Sequence, residues 1–341
     1  MANSIRIAVD AMGGDSGPRT VAAALVKSLH KHPTVSALLF GDQQCLQDEL
    51  NLCNDQSLLS RIDVCHSPNF VAGTDQPSVA LRRRRDTSMG MALRAVADDR
   101  ASACISSGNT GMLMALGMLE LKTLPGIARP AICATLPTSQ GHSYILDLGA
   151  NLDCSAQQLV GFALLGSLTA QALDGLASPQ VRLLNVGEEV SKGSEVIKST
   201  AELLSHEPLI NYAGFVEGDG IFKGLADVVV CDGFTGNVAL KSSEGVARMI
   251  GDIIRESMGS SWLSRLLSLF MAGTFRDLRR RLDPAVYNGA YLLGLTRVVV
   301  KSHGGADEQA FGYALDVAIE AAKRNLPEVL SPILQAKYQQ H

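Results

Sequence analysis

The 341 residues are 46% hydrophobic and 19% charged, a balance that excludes a disordered chain and allows a large α/β core or two lobes around a cleft. A formal net charge of −4 argues against a nucleic-acid binder with a broad basic face, and no apolar run reaches membrane-spanning length. The first six residues run straight into strand-like sequence, unlike a signal peptide. Seven cysteines stand singly with no CxxC pair, as expected for reduced thiols in a cytoplasmic protein without a zinc site.

Short apolar runs predict strands over 5–10, 35–40, 62–65, 103–106, 131–135, 144–147, 181–186, 215–217, 228–231 and 297–301. Amphipathic stretches lie between many of them, among them 19–31, 111–121, 157–173 and 194–204. This alternation predicts an α/β fold with a mainly parallel sheet and helices on both faces. No repeat, low-complexity tract or linker divides the sequence, so residues 1–341 read as a single α/β chain, with two lobes around a cleft as the variant arrangement.

In such folds ligands bind beyond the carboxyl ends of the strands. Those ends share one composition here: Asp10-Ala11-Met12-Gly13-Gly14-Asp15, with Pro18 placed to open a helix; Ser106-Ser107-Gly108-Asn109-Thr110-Gly111; Asp147-Leu148-Gly149-Ala150-Asn151; Asn185-Val186-Gly187-Glu188-Glu189; and Asp232-Gly233-Phe234-Thr235-Gly236-Asn237. Glycine permits tight turns and close approach to N–H groups, a helix start adds partial positive charge, and hydroxyl and amide side chains add donors. One such turn is ordinary βα chemistry. Five together favour a polar cleft for an anion. None matches GxGxxG with a ribose-binding acid, GxxxxGK[ST], GxSxG or HExxH, which argues against dinucleotide, P-loop and common hydrolase sites.

Lys192, Lys241 and Lys301 adjoin these turns and could neutralise an anion, each against the alternative of a solvated surface charge; His303 is either a general base or a hydrogen-bonded loop histidine. Arg82-Arg83-Arg84-Arg85 is a compact basic run, a solvated helix face or a docking patch for an acidic partner or a phosphate. Over 255–281, apolar residues including Trp262 recur at helical spacing among arginines. That pattern predicts an amphipathic helical arm, either packed in a dimer or lying on a membrane surface.

As a set, Val9 to Asp15, Gln76 to Arg82, Ser107 to Gly111, Leu184 to Glu189, Asp232 to Asn237 and Lys301 to Gly304 resemble the bacterial PlsX family of phosphate acyltransferases, in order and at family-like spacing from residue 5 to about 320. The resemblance implies the architecture shared by phosphotransacetylases and the isocitrate and isopropylmalate dehydrogenases. It implies transfer of a fatty acyl group from acyl-(acyl carrier protein) to inorganic phosphate, giving acyl phosphate for phospholipid synthesis. It further implies a homodimer, cytoplasmic and peripherally associated with the inner face of the membrane, near a downstream glycerol-3-phosphate acyltransferase. Carried onto this chain, it places Lys192, Asp232 and Asn237 at the reacting centre. The surrounding expectation for phosphate and substrate binding is Asp10, Gly13, Gly14, Ser107, Gly108, Asn109, Thr110, Asn151, Gly233, Gly236, Lys301 and His303, with Arg82, Arg83, Arg84 and Arg85 docking the carrier. The run of four arginines departs mildly from the family's mixture of Lys and Arg.

The chemistry so implied needs positioning and oxyanion donors, and no metal or organic cofactor. Direct attack of phosphate on the thioester is preferred over an acyl-enzyme on Ser106, Ser107 or a cysteine, because no activating partner stands nearby in the sequence. A phosphotransacetylase using acyl-coenzyme A, an NAD- and metal-dependent 3-hydroxy acid dehydrogenase and a non-enzymatic membrane-surface scaffold remain the alternatives.

Overall fold

The computed structural model describes residues 5–72, 82–259 and 283–339. The strands are β1 (Arg6–Asp10), β2 (Ser36–Gly41), β3 (Ile62–His66), β4 (Ala103–Ser106), β5 (Ala131–Thr138), β6 (Gly141–Leu146), β7 (Gln180–Leu184), β8 (Asn211–Val216), β9 (Val228–Val230), β10 (Ala290–Leu293) and β11 (Val298–Lys301), all but β10 falling on the predicted apolar runs. They join in one sheet of order β3-β2-β1-β4-β11-β10-β5-β6-β9-β7-β8.

Alternate residues of a strand face opposite sides, and both sides here are apolar. Ile7 and Val9 of β1 join a core with Leu25, Phe162 and Phe311, whereas Ala8 joins a second core with Met89, Leu93 and Met112. Helices α1 (Gly17–Lys31), α6 (Ala156–Asp174) and α9 (Glu308–Arg324) supply the first layer. Helices α4 (Ser88–Ala97) and α5 (Thr110–Leu121) supply the second. The remaining helices among the described residues are α2 (Gln43–Leu50), α3 (Gln56–Leu59), α7 (Glu195–Ser205), α8 (Gly233–Gly259) and α10 (Leu326–Gln339). Each fully buried Leu, Phe or Met on these layers contributes roughly 1.5–3 kcal/mol, so the sheet is held from both faces.

The sheet consists of two parallel blocks. One is β3-β2-β1-β4-β11, the other β6-β9-β7-β8. Between them, β10 pairs antiparallel with both β11 and β5, and β5 pairs antiparallel with β6. Three reversals leave the second block running opposite to the first, so their carboxyl ends start from opposite edges of the sheet.

The described strands depart from expectation at several places. Strand β10 was not among the predicted strands, since Ala290–Leu293 is short and its outer neighbours are the turn residues Asn288-Gly289 and Gly294. The strand predicted over 215–217 begins earlier, at Asn211. Of the arm expected over 255–281, residues 260–281 lie outside the described residues.

Candidate active site

The first cluster is built where β1, β4 and β11 end. Asp10 is 1% exposed and accepts the Ser106 hydroxyl proton on Oδ2 at 2.6 Å. The Ser106 hydroxyl in turn accepts the Gly108 N–H at 3.0 Å. Ser107 Oγ donates to the Gly13 carbonyl at 2.6 Å, and Asp15 N–H donates to the Gly304 carbonyl at 2.8 Å. Gly14 has φ +81°, and a Cβ there would sit 2.6 Å from Ser107 Oγ and 2.7 Å from the Gly304 carbonyl oxygen. Glycine is thus required by both conformation and space. Burial pushes the Asp10 carboxyl above its ordinary value, opposed by the donors around it.

Lys301 closes this cluster. Its ammonium donates to the Ser107 carbonyl at 3.3 Å and to the Ser302 carbonyl. Burial lowers its pKa to about 8, with Asp10 and Asp15 favouring the charged form and Lys241 opposing it. His303 is exposed, its Nδ1 accepts Gly305 N–H at 3.1 Å, and desolvation lowers its pKa. That hydrogen bond assigns the neutral ring proton to Nε2, so His303 presents a donor to solvent in this tautomer. Asn288 fastens the loop by accepting His303 N–H at 2.9 Å and donating to Ser302 Oγ and to the Ala310 carbonyl, both at 2.8 Å.

The second cluster is built where β6 and β9 end. Asp147 is fully buried and accepts N–H groups of Ile132 at 2.8 Å, Ala150 at 3.1 Å and Asn151 at 2.6 Å, together with the Asn151 amide at 2.9 Å. Burial pushes its carboxyl upward while these donors pull it down. Asn151 is 2% exposed and donates to both Asp147 and the Pro130 carbonyl. The direct substrate donor expected of Asn151 is therefore replaced by a structural tie. Gly233 N–H donates to the Asn151 carbonyl at 2.7 Å, and a Cβ on Gly233 would lie 2.6 Å from that oxygen. Asp232 caps α8, accepting Thr235 N–H and the Thr235 hydroxyl, each at 2.8 Å.

Helix α8 links the clusters. Asn237 lies beside Gly149, where an added Cβ would come within 3.6 Å of its own Cβ. Lys241 follows one turn later on the same helical face and presses its positive charge on Lys301 and His303. Glu244, a little further along α8, favours the charged form of His303. The sequence-predicted Asp10, Gly13, Gly14, Ser107, Gly108, Lys301 and His303 thus form one wall, and Gly233, Gly236 and Asn237 begin the other. Asn109 is the N-cap of α5, accepting Met112 N–H at 3.1 Å, with Thr110 as the first helical residue. Several N–H groups expected to cradle an anion are already engaged: Gly108 to Ser106, Gly233 to Asn151, and Gly236 to the Asp232 carbonyl at 2.9 Å.

Lys192 is exposed in the loop after β7, which the Asn185 amide stiffens by donating to the Gly187 carbonyl at 3.0 Å and the Lys192 carbonyl at 3.3 Å. Unlike Lys301, it exchanges no described contact with either cluster. Arg82, Arg83 and Arg85 are exposed, and Arg84–Asp86 forms a short 3-10 turn leading into α4. Asn288 was missed because it precedes the unrecognised β10. The Asn288-Gly289 pair was the available turn signal.

The profile of the fatty acid synthesis protein family matches residues 5–329. The chain belongs to this family. Its relatives include the phosphate acyltransferase of Alkalilimnicola ehrlichii, 48% identical over 98% of both chains. That of Hydrogenovibrio crunogenus is 46% identical over 99% of this chain and 100% of its own. The chain is an acyltransferase enzyme. In fold it is similar to the EutD phosphotransacetylase of Staphylococcus aureus, with TM-score 0.59 at 16% identity over 96% of this chain and 95% of that one. A phosphotransacetylase of Streptococcus pyogenes gives 0.58 at 15% identity over 94% and 95%. Among the described residues, no helix is long and apolar enough to cross a membrane.

Proposed function

We propose that the enzyme transfers a fatty acyl group from acyl-(acyl carrier protein) to inorganic phosphate, releasing acyl phosphate for phospholipid synthesis. The observation that carries this reading is the pair of glycine-turn walls joined by α8, with Lys301 and Lys241 supplying positive charge on one side. Family membership supports acyl transfer, and the names of the relatives support phosphate as acceptor. Phosphate, already an anion, attacks the thioester carbonyl directly. The protein holds the reactants together and stabilises the oxyanion, with Asn237 and Lys192 as the proposed groups on the second wall and Asp232 fixing the start of α8. Thiolate of the carrier leaves as the carbonyl re-forms.

Carrier docking is assigned to Arg82, Arg83, Arg84 and Arg85, because an acidic protein is drawn to a compact basic run, of which Arg82, Arg83 and Arg85 are exposed. A homodimer is supported by α8, where Val246, Met249, Ile250 and Ile253 recur at helical spacing and are 38–55% exposed. Peripheral attachment to the inner face of the membrane, beside a glycerol-3-phosphate acyltransferase that consumes the product, completes the reading.

The test is incubation with palmitoyl-carrier and phosphate while free carrier thiol is measured. Phosphate-dependent thiol release is the expected result. Release from palmitoyl-coenzyme A alone would move the assignment to a phosphotransacetylase, and release without phosphate would remove phosphate as the acceptor.

A further inference from the structure

We propose that Asp10 is a positioning residue and not a ligand: through Ser106 it fixes the turn from Ser107 to Thr110, and through its charge it sets the field on the Lys301 ammonium. The proposal rests on the assignment of this wall to phosphate.

Asp10 is 1% exposed, and the space around it is filled. A Cβ on Gly13 would lie 2.6 Å from Asp10 Oδ2, and one on Gly108 would lie 2.3 Å from the Met89 methyl. No anion reaches this carboxylate, and its charge would repel one that did. Its hydrogen bonds point into the protein. Met12 N–H donates to Oδ1 at 3.3 Å, and Ser106 Oγ donates to Oδ2 at 2.6 Å.

From Ser106 the order propagates. Its hydroxyl can donate only one proton, and Asp10 takes it, so the lone pair that accepts Gly108 N–H has a fixed direction. Ser302 N–H donates to the Ser106 carbonyl at 2.9 Å, and Ser107 Oγ donates to the Gly13 carbonyl. Three separate chain segments are therefore registered on one buried carboxylate. A networked buried charge of this kind specifies a single arrangement when its partners are satisfied.

The second effect is electrostatic. Asp10, Ser106 and Lys301 stand in register on β1, β4 and β11, and the titratable groups facing Lys301 are Asp10, Asp15 in the following loop, Lys241 on α8 and His303 in its own loop. Burial and Lys241 favour the neutral amine, whereas Asp10 and Asp15 favour the ammonium. With a pKa of about 8, Lys301 has little charge to spare, and loss of a neighbouring carboxylate drains it further.

Two variants separate the effects. Asp10→Asn keeps size and removes the ionisable carboxyl; Ser106→Ala keeps the carboxyl and removes the relay. In wild type, kcat/KM for phosphate should fall on the alkaline side as Lys301 loses its proton. Asp10→Asn should move that limb to lower pH by about one unit. Ser106→Ala should raise phosphate KM about tenfold with a smaller displacement of the limb than in Asp10→Asn, and Ser106→Thr should recover most of the loss. The ionisation of phosphate itself is common to all the enzymes and cancels in the comparison. An unmoved limb in folded Asp10→Asn, or an unchanged phosphate KM in Ser106→Ala, overturns the proposal. Should Asp10→Asn fail to fold, Ser106→Ala decides alone. A wild type showing no phosphate-dependent thiol release would overturn the functional assignment instead, which is a different result from active variants that behave like wild type.

Discussion

A Cβ added to Gly236 would lie 2.0 Å from the carbonyl oxygen of Asp147, so the first turn of α8 rests backbone to backbone on the end of β6. Cys231 Sγ, 2.8 Å from the same Cβ position, closes the other side. The nearer obstacle is backbone, which cannot swing aside as a side-chain end can. Gly236→Ala should therefore displace α8, destabilising the fold by about 1–3 kcal/mol and lowering kcat by more than that loss of stability alone accounts for. Thermal unfolding and kcat measured on one preparation check this; a variant with wild-type kcat would show that α8 does not place the reacting groups.

The depressed pKa of Lys301 has a stability consequence with a definite sign. The unfolded chain holds this proton up to the ordinary lysine value of about 10.5, whereas the folded protein releases it at about 8. Between those values the unfolded state binds more protons, so the contribution of Lys301 makes stability rise with pH. Below pH 8 the ammonium is a standing penalty of up to about 3 kcal/mol, discounted by its partial exposure. Lys301→Met should remove that penalty and abolish phosphate saturation, while leaving the Ser107 and Ser302 carbonyls without a donor at about 1 kcal/mol each. The expected outcome is a variant as stable as wild type or more so at pH 7, whose advantage shrinks from pH 8 to 10.5. Denaturant titrations at both pH values measure it.

Lys192 sits on a loop whose shape Asn185 maintains, and its exposed ammonium is the cation proposed for the second wall. Lys192→Ala should lower kcat or raise phosphate KM by at least about tenfold, equivalent to roughly 1.4 kcal/mol of transition-state binding. Unchanged kinetics in the folded variant would leave Lys301 and Lys241 as the working cations.

Steering by an exposed arginine patch is screened over about 8 Å at physiological ionic strength. Reversing Arg82 and Arg83 to Glu should raise the KM for acylated carrier about fivefold at low salt, flatten its salt dependence and leave phosphate KM nearly unchanged. A rise in phosphate KM would place the run at the anion site.

Most of the sheet was legible because strand-forming runs such as Val228–Val230 and Val298–Lys301 are short, apolar and bounded by turns. The glycine turns were legible for the same local reason. What local sequence does not carry is direction and burial. The reversal of the second block arises from pairings between residues as distant as Tyr291 and Cys133. Asp10 and Asn151 look like site residues from their neighbours, yet the packing of distant segments buries both. Conversely, Asp232 and Asn109 have sequence positions suited equally to binding and to capping, and only their hydrogen bonds to Thr235 and Met112 reveal the capping.

The pairing of β4 with β11 joins Ser106 to Lys301 across most of the chain. During synthesis the first four strands leave the ribosome long before their neighbour exists. Until then β4 presents an open edge, a template for strand addition from another molecule. The same late strand delivers Lys301, Ser302 and His303. Completion of the sheet and arrival of the cation proposed for phosphate are one event, so a prematurely terminated chain combines an open edge with the lack of that cation.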